Sequence, residues 1–190
     1  MASLGEIEEV NNIYNPDSDL IFLHCTSNYP SSDESLNLNV ITTLAQCFQR
    51  QVGYSDHSNG SLASISSVAL GAKVIEKHFT LDKNMSGPDH QTSLNKDEFT
   101  NFIRDIRRIE TMLGSSVKKC QEEEKEMSLV SRKSIHLSRS ISIGEIVKEE
   151  DFCLMRPGTG LKYISLKNLI GKVANRDLSK GEKISYSDFL

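Results

Sequence analysis

The stretch DLIFLHCTSNYP at residues 19–30 decides the fold, because an almost unbroken apolar run is followed at once by a polar turn. The run at 19–25 is rich in branched and aromatic residues, which is typical of a strand buried on both faces of a parallel sheet. Two similar segments follow, QVGYSDH at 51–57 and KVIEKHFT at 73–80. We therefore predict an α/β protein with three parallel strands.

Helical periodicity fills the gaps between these strands. Apolar side chains recur at helical spacing over residues 38–48, and small residues at 60–72 form a second helical pattern. Consecutive strand starts, Val52 and Val74, are 22 residues apart. So short a period indicates successive βαβ crossovers and favours a (β/α) barrel over an open sheet.

Two more helices flank the strand region. The first dozen residues alternate apolar and acidic side chains, and residues 96–113 carry an apolar stripe at helical spacing. Gly114 directly follows that stripe, at the position where a glycine commonly ends a helix.

The composition excludes several classes of protein. The chain has 190 residues, 37% hydrophobic and 25% charged, with a net charge of -4, which is ordinary for a globular protein and argues against nucleic acid as the main partner. No apolar run approaches the roughly 20 residues that span a bilayer. We therefore expect a cytoplasmic protein without a membrane contact.

The four cysteines are widely spaced along the chain. Zinc sites and dithiol redox motifs need close cysteine pairs, which are lacking here. We expect reduced thiols, most of them buried.

A change in composition after Gly114 predicts a domain boundary. Residues 115–130 are polar and dense in charge, which indicates a linker or a solvated helix. From 131 to 190 short segments are separated by glycines, which predicts a small β-rich domain after a first domain at 1–114. The similar strings SIGEIVKEEDF at 142–152 and SKGEKISYSDF at 179–189 indicate an internal repeat within it.

Polar side chains follow each predicted strand, at the end where a barrel gathers its reactive groups. His57 and His78 end adjacent strands at the same height, so both imidazoles can point at one divalent ion. Two imidazoles with open positions beside them suit Mn²⁺ or a similar ion that completes its shell with water or substrate oxygens. The alternative is that each histidine is a surface or structurally hydrogen-bonded ring.

Two loop residues are further candidates for ligand contacts. Asp89 follows a Gly-Pro pair just beyond the third strand, where it would cover the same mouth or form a turn with its own backbone. Arg156, next to Pro157 and Gly158, would present a rigid fork to an oxygen-rich ligand or form a surface salt bridge. Motifs for nucleotide phosphates and for a hydrolase nucleophile are absent from the sequence.

Taken together, these motifs resemble the sialic acid synthases. The strings LHCTSNYP, VGYSDHS, ALGAKVIEKHFTLD, SGPDHQTSL and MRPGTGL occur in the order and spacing of that family, and the resemblance covers almost the whole chain. It implies the last three βα units of a (β/α)₈ TIM barrel, followed by an antifreeze-like (SAF) domain of the β-clip type. It also implies condensation of phosphoenolpyruvate with N-acetylmannosamine or a related 2-acetamido sugar, which gives a nine-carbon 2-keto acid and phosphate.

The resemblance assigns a metal site and a phosphoenolpyruvate contact. His57 and His78 match the family's ligands for Mn²⁺ or Mg²⁺, which polarises the sugar aldehyde. Ser55 matches a residue that contacts phosphoenolpyruvate.

The remaining assignments concern the sugar. Tyr29 and Asp89 match residues that hold it, and Ser27 stands at a substrate-binding position where some members have asparagine. Arg156 would reach from the small domain into the active site of a partner protomer, which implies a domain-swapped homodimer.

The resemblance also implies five further βα units ahead of these three, with the family's catalytic glutamate among them. We therefore expect the chain to be the C-terminal part of a synthase. The alternative is a catalytically inactive fragment that acts at most as a metal- or sugar-binding module.

Overall fold

The computed structural model describes residues 1–15 and 17–190. These residues divide into two compact units, Met1–Ser116 and Val117–Leu190. The elements of the first unit are, in chain order, α1 (Leu4–Ile13), β1 (Ile21–Cys25), α2 (Val40–Phe48), β2 (Gln51–Asp56), α3 (Leu62–Ala69), β3 (Ile75–Lys77) and α4 (Lys96–Leu113).

The three strands form one parallel sheet in the order β1-β2-β3. Cys25 lies opposite Ser55, and Asp56 lies opposite Lys77. Parallel neighbours need a crossover between them, and α2 and α3 provide the two crossovers. The predicted α/β organisation with a parallel sheet is confirmed.

The third strand is shorter than the sequence predicts. The apolar run extends to residue 80, but the ladder with β2 ends at Lys77. Beyond it the chain pairs instead with Leu94, whose N–H donates to His78 O at 3.0 Å, while the Thr80 N–H donates to Leu94 O at 2.9 Å. These bonds tie the start and the end of the long β3–α4 loop together.

One face of the sheet is covered by helices. Val52 and Tyr54 of β2 are buried against Ile41 and Leu44 of α2, because alternate side chains of a strand point to opposite faces. The α4 helix adds Phe102 and Ile106 to a neighbouring core cluster and, as predicted, ends at Gly114, which has a φ of 48°.

The other face of the sheet is largely open in this unit. Leu23 and Val74 are 38% and 37% exposed there, and Gly53 lies between them without a side chain.

The second unit contains α5 (Lys125–Ser131) and an antiparallel pair, β4 (Ser134–Leu137) and β5 (Phe152–Met155). Its core is formed by buried aliphatic side chains from short segments, among them Ile135, Val147 and Leu169.

The internal repeat predicted in this unit is confirmed by matched contacts. The Ser142 N–H donates to the Glu145 carboxylate at 3.1 Å, and the equivalent Ser179 N–H donates to Glu182 at 2.8 Å. Three residues before each repeat, an arginine pairs with two of its carboxylates: Arg139 with Glu145 and Asp151, and Arg176 with Glu182 and Asp188.

The prediction that most cysteines are buried is wrong. Cys47 and Cys120 are exposed, whereas Cys25 and Cys153 are half-buried, and all four are free thiols. Cys120 lies in the charge-dense segment at 115–130, and Cys47 lies in the last turn of α2. Within the described residues, no helix is both long and apolar enough to cross a membrane.

Candidate active site

The two histidines meet at the carboxyl edge of the parallel sheet. His57 directly follows β2 and His78 directly follows β3, and the residues before them are register partners. Their ring centroids are 5.3 Å apart with an interplanar angle of 61°. The structure thus brings together the two imidazoles that the strand order predicts to be neighbours, while their role as metal ligands stays a prediction.

Tyr29 packs against both imidazoles from the loop that follows β1. Its ring centroid is 4.3 Å from that of His78 and 5.3 Å from that of His57, which it meets edge to face. The loop is held in place by Ser31, whose N–H donates to His57 O at 2.9 Å. A phenol from a different loop therefore lines the same space as the two histidines.

Asp89 approaches the site from the β3–α4 loop. Its Oδ2 lies 4.0 Å from His78 Nδ1. The turn is closed by the backbone carbonyl of Asp89, which accepts hydrogen bonds from Ser93 Oγ at 2.6 Å and from the Ser93 N–H at 3.0 Å. The carboxylate therefore faces His78 while the backbone makes the turn.

Ser93 links two predicted sugar-binding residues, and sequence reasoning missed it. Its side chain is buried, and besides its bond to Asp89 it lies 3.4 Å from the Tyr29 hydroxyl oxygen. The motif DHQTS places Ser93 close to Asp89 in sequence, but nothing in the spacing indicates Tyr29 as its neighbour.

Ser55 and Ser27 lie on the side of the sheet that carries Cys25. Ser55 Oγ donates to Glu76 Oε1 at 2.6 Å, so the serine hydroxyl has a carboxylate partner on β3. Cys25 Sγ lies 3.9 Å from His57 Nε2 and 3.9 Å from Ser27 Oγ. Ser27 itself is exposed at the rim of this group.

Arg156 belongs to the second unit. It is exposed, and its Nε donates to Ser131 O at 3.0 Å. Its predicted contact with a sugar in a partner protomer stays a prediction.

A buried ion pair lies directly beneath the histidines, and sequence reasoning did not pair its members. Lys77 Nζ is 3.2 Å from Asp56 Oδ2, with side-chain exposures of 1% and 0%. Burial lowers the pKa of Lys77, because an ammonium group loses its hydration there, and the Asp56 charge partly opposes this shift. The sequence did contain a signal for this pairing, because Asp56 and Lys77 each directly precede a histidine at the end of one of two neighbouring strands.

Two imidazoles are the donors that this site offers to a divalent ion. His57 and His78 offer imidazole nitrogens, and within the described residues no group of three or more His, Cys, Asp or Glu side chains is arranged to hold a metal. An ion on two imidazoles would take its other ligands from water or substrate oxygens.

Comparison with known proteins links both units to characterised sequences. Residues 1–118 match the NeuB family and residues 132–190 match the SAF domain. The N,N'-diacetyllegionaminic acid synthase of Legionella pneumophila is 45% identical over 162 residues, covering 85% of this chain and 46% of the relative. A pseudaminic acid synthase of Campylobacter jejuni is 43% identical over 172 residues, covering 90% of this chain and 50% of the relative.

A solved structure of a synthase is also similar to this chain. The crystal structure of N-acetylneuraminic acid (sialic acid) synthetase from Leptospira borgpetersenii, in complex with citrate, matches with a TM-score of 0.62 at 37% identity over 67% of this chain and 45% of that one. The chain spans about half the length of the curated relatives it matches.

Proposed function

The chain belongs to the NeuB family of sialic acid synthases, and we propose that it serves the condensation of phosphoenolpyruvate with N-acetylmannosamine or a related 2-acetamido sugar. The observation that carries this proposal is the meeting of His57, His78, Tyr29 and Asp89, from three successive loops, at the carboxyl edge of the parallel sheet. Active sites of barrel enzymes lie at this edge.

In the proposed reaction, the methylene carbon of phosphoenolpyruvate forms a bond to the aldehyde carbon of the sugar. Water adds to the neighbouring carbon of phosphoenolpyruvate, and the bond to phosphate breaks, which leaves a nine-carbon 2-keto acid. Bound Mn²⁺ or Mg²⁺ on His57 and His78 would supply Lewis-acid polarisation of the aldehyde.

The remaining side chains bind and orient the substrates. The Tyr29 hydroxyl and the Asp89 carboxylate would hydrogen-bond sugar hydroxyls. Ser93, which contacts the Tyr29 hydroxyl and the Asp89 backbone carbonyl, would hold the two loops together. Ser27 at the rim adds a further hydroxyl. Correct orientation lowers the entropic part of the barrier to a reaction between two substrates.

Ser55 is proposed to contact phosphoenolpyruvate. Its hydroxyl donates to Glu76 in this structure, so a bond to an anionic substrate requires the hydroxyl to rotate away from that carboxylate. Glu76 therefore holds Ser55 in place until the substrate arrives.

The proposal extends to the architecture. Residues 1–114 form the last three βα units of a TIM barrel, 115–130 a linker and 131–190 the antifreeze-like domain. The chain-order parallel sheet supports this arrangement, as does the exposure of Leu23 and Val74 on the face that would line a barrel. Arg156 would reach the sugar of a partner protomer in a domain-swapped homodimer.

The test is phosphate release by the 190-residue chain with phosphoenolpyruvate, Mn²⁺ and, in turn, N-acetylmannosamine and its diacetamido relative. Release that requires a sugar and is lost in His57→Ala supports the proposed reaction and identifies the sugar. Release that is the same without any sugar would contradict it.

One observation favours a second candidate function. The described residues form a parallel sheet of three strands, whereas a closed barrel of this type has eight. The chain by itself would then be an inactive metal- or sugar-binding module. Binding of Mn²⁺ and sugar by a folded chain that releases no phosphate would favour this second function.

A further inference from the structure

The buried pair of Asp56 and Lys77 occupies a special position relative to the two histidines. Each member directly precedes one histidine, and the two members lie opposite each other across β2 and β3. The pair is thus the last link between these strands before the chain enters the site.

The hydrogen bonds of this pair converge on the residue that follows His57. Asp56 Oδ1 accepts from the Ser58 N–H at 2.8 Å and from Ser58 Oγ at 2.7 Å. Lys77 Nζ donates to Ser58 O, and Ser64 Oγ on α3 donates to Asp56 Oδ2. The backbone of Ser58 is therefore held on its N–H side by one strand and on its carbonyl side by the next.

This arrangement is not explained by stability alone. Both charges lose their hydration on burial, so a buried ion pair is often no more stabilising than apolar residues of similar volume. Breaking it is costly, however, and a cooperative polar network that must stay intact can define one backbone geometry. The pair also carries no net charge, so it places no uncompensated positive charge behind a cation site.

We infer that Asp56 and Lys77 are positioning residues that hold His57 and His78 at the spacing needed to bind one divalent ion. They act through Ser58 and the strand ends and do not touch the ion. This inference rests on the proposed function, because it concerns the metal site of the proposed reaction.

The experiment measures Mn²⁺ binding to the 190-residue chain by electron paramagnetic resonance, well below the melting temperature of every variant. Lys77→Met removes the charge while keeping most of the volume. We expect its Kd for Mn²⁺ to rise about tenfold, as is typical when the outer support of a metal site is lost. Asp56→Asn combined with Lys77→Met restores neutrality without the ion pair, and its Kd is expected to stay raised.

The matched control is Asp151→Asn in the second unit. Asp151 is also fully buried and pairs with Arg139 at 2.6 Å, but it belongs to the repeat of the small domain. Its loss is expected to lower the melting temperature of that unit and to leave the Kd for Mn²⁺ unchanged.

The outcomes separate the two ideas. A parental Kd in folded Lys77→Met, with binding lost in His57→Ala, would overturn the positioning role and leave the metal site intact. A return to the parental Kd in the double variant would show that charge alone matters and would also overturn it. A parent chain whose Mn²⁺ binding does not depend on His57 would overturn both the inference and the metal site.

A milder variant covers the case in which Lys77→Met does not fold. Ser64→Ala removes one hydrogen bond to Asp56 and keeps a good helix former in α3. We expect its Kd for Mn²⁺ to rise about threefold, which corresponds to the net free energy of one weak hydrogen bond. An unchanged Kd in this variant would overturn the inference.

Discussion

Replacing Gly53 with alanine is expected to destabilise the first unit strongly. Gly53 lies in the central strand, on the face that it shares with Leu23. A Cβ at this position would lie less than 3.0 Å from both Leu23 Cδ2 and Val74 O. Real Cβ atoms essentially never make contacts this short. The leucine side chain can rotate away, but the Val74 oxygen belongs to the backbone.

The magnitude follows from what must move. Val74 O accepts the Tyr54 N–H at 2.8 Å, which is one of the bonds between β2 and the chain entering β3. Overpacking in a rigid environment costs about 2 kcal/mol, and weakening of this hydrogen bond adds about 1 kcal/mol. The free energy of unfolding should therefore fall by about 3 kcal/mol, and the melting temperature of a unit of this size by about 10 °C.

The assay is urea unfolding followed by far-ultraviolet circular dichroism. The helices α1 to α4 are each longer than α5, and all four belong to the first unit, so the helical signal reports mainly on that unit. Gly5→Ala is the matched control, because nothing lies within 4 Å of a Cβ built at Gly5 on α1. This control should not lower the free energy of unfolding and should raise it by up to about 1 kcal/mol, because alanine is a better helix former than glycine. Equal unfolding midpoints for Gly53→Ala and the parent would refute the close-contact reasoning.

Three other perturbations test the site and the small domain. His57→Ala and His78→Ala should each weaken Mn²⁺ binding at least about tenfold by calorimetry, and unaltered binding in either variant would end its assignment as a ligand. In an assembly that catalyses the reaction, Arg156→Ala should raise the KM for the sugar more than the KM for phosphoenolpyruvate, and equal effects on both KM values would argue against a sugar contact. Partial recovery of activity when Arg156→Ala and His57→Ala protomers are mixed would indicate a swapped dimer. Burial acts to raise the pKa of Asp151 and of Asp188, but backbone N–H donors and an arginine outweigh it and hold both pKa values below the ordinary value. The stability that the two carboxylates contribute is complete above about pH 4 and is lost as the pH falls through the lowered pKa values. Changing both residues to asparagine should therefore reduce the fall of the second unit's melting temperature at acid pH. A fall in melting temperature at acid pH as large as that of the parent would contradict the stabilising role of these two ion pairs.

Local pattern was sufficient to locate most elements. The apolar runs at 19–25 and 51–57 became strands because a strand covered by helices carries a dense apolar sequence. The stripe at 96–113 became a helix with those bounds, because an asparagine cap and Gly114 mark its two ends. The strand predicted at 73–80 was too long, because hydrophobicity does not show where a chain changes its pairing partner.

The candidate site was predictable in part. Strand order alone makes neighbours of His57 and His78, because parallel strands end at the same edge. The roles of Tyr29 and Asp89 came from the resemblance to sialic acid synthases, and their closeness to His78 is a finding of the structure. Ser93 was missed because its contact with Tyr29 joins two loops far apart in the chain.

By itself the sequence determined the order of helices and strands, the histidines at two strand ends and the internal repeat, because each of these can be read from the pattern and spacing of residues along the chain. The tertiary structure alone decided that Asp56 meets Lys77 and that Gly53 lies beside the Val74 carbonyl. Such contacts depend on the register between strands, and a shift of one residue would place every one of these side chains on the opposite face.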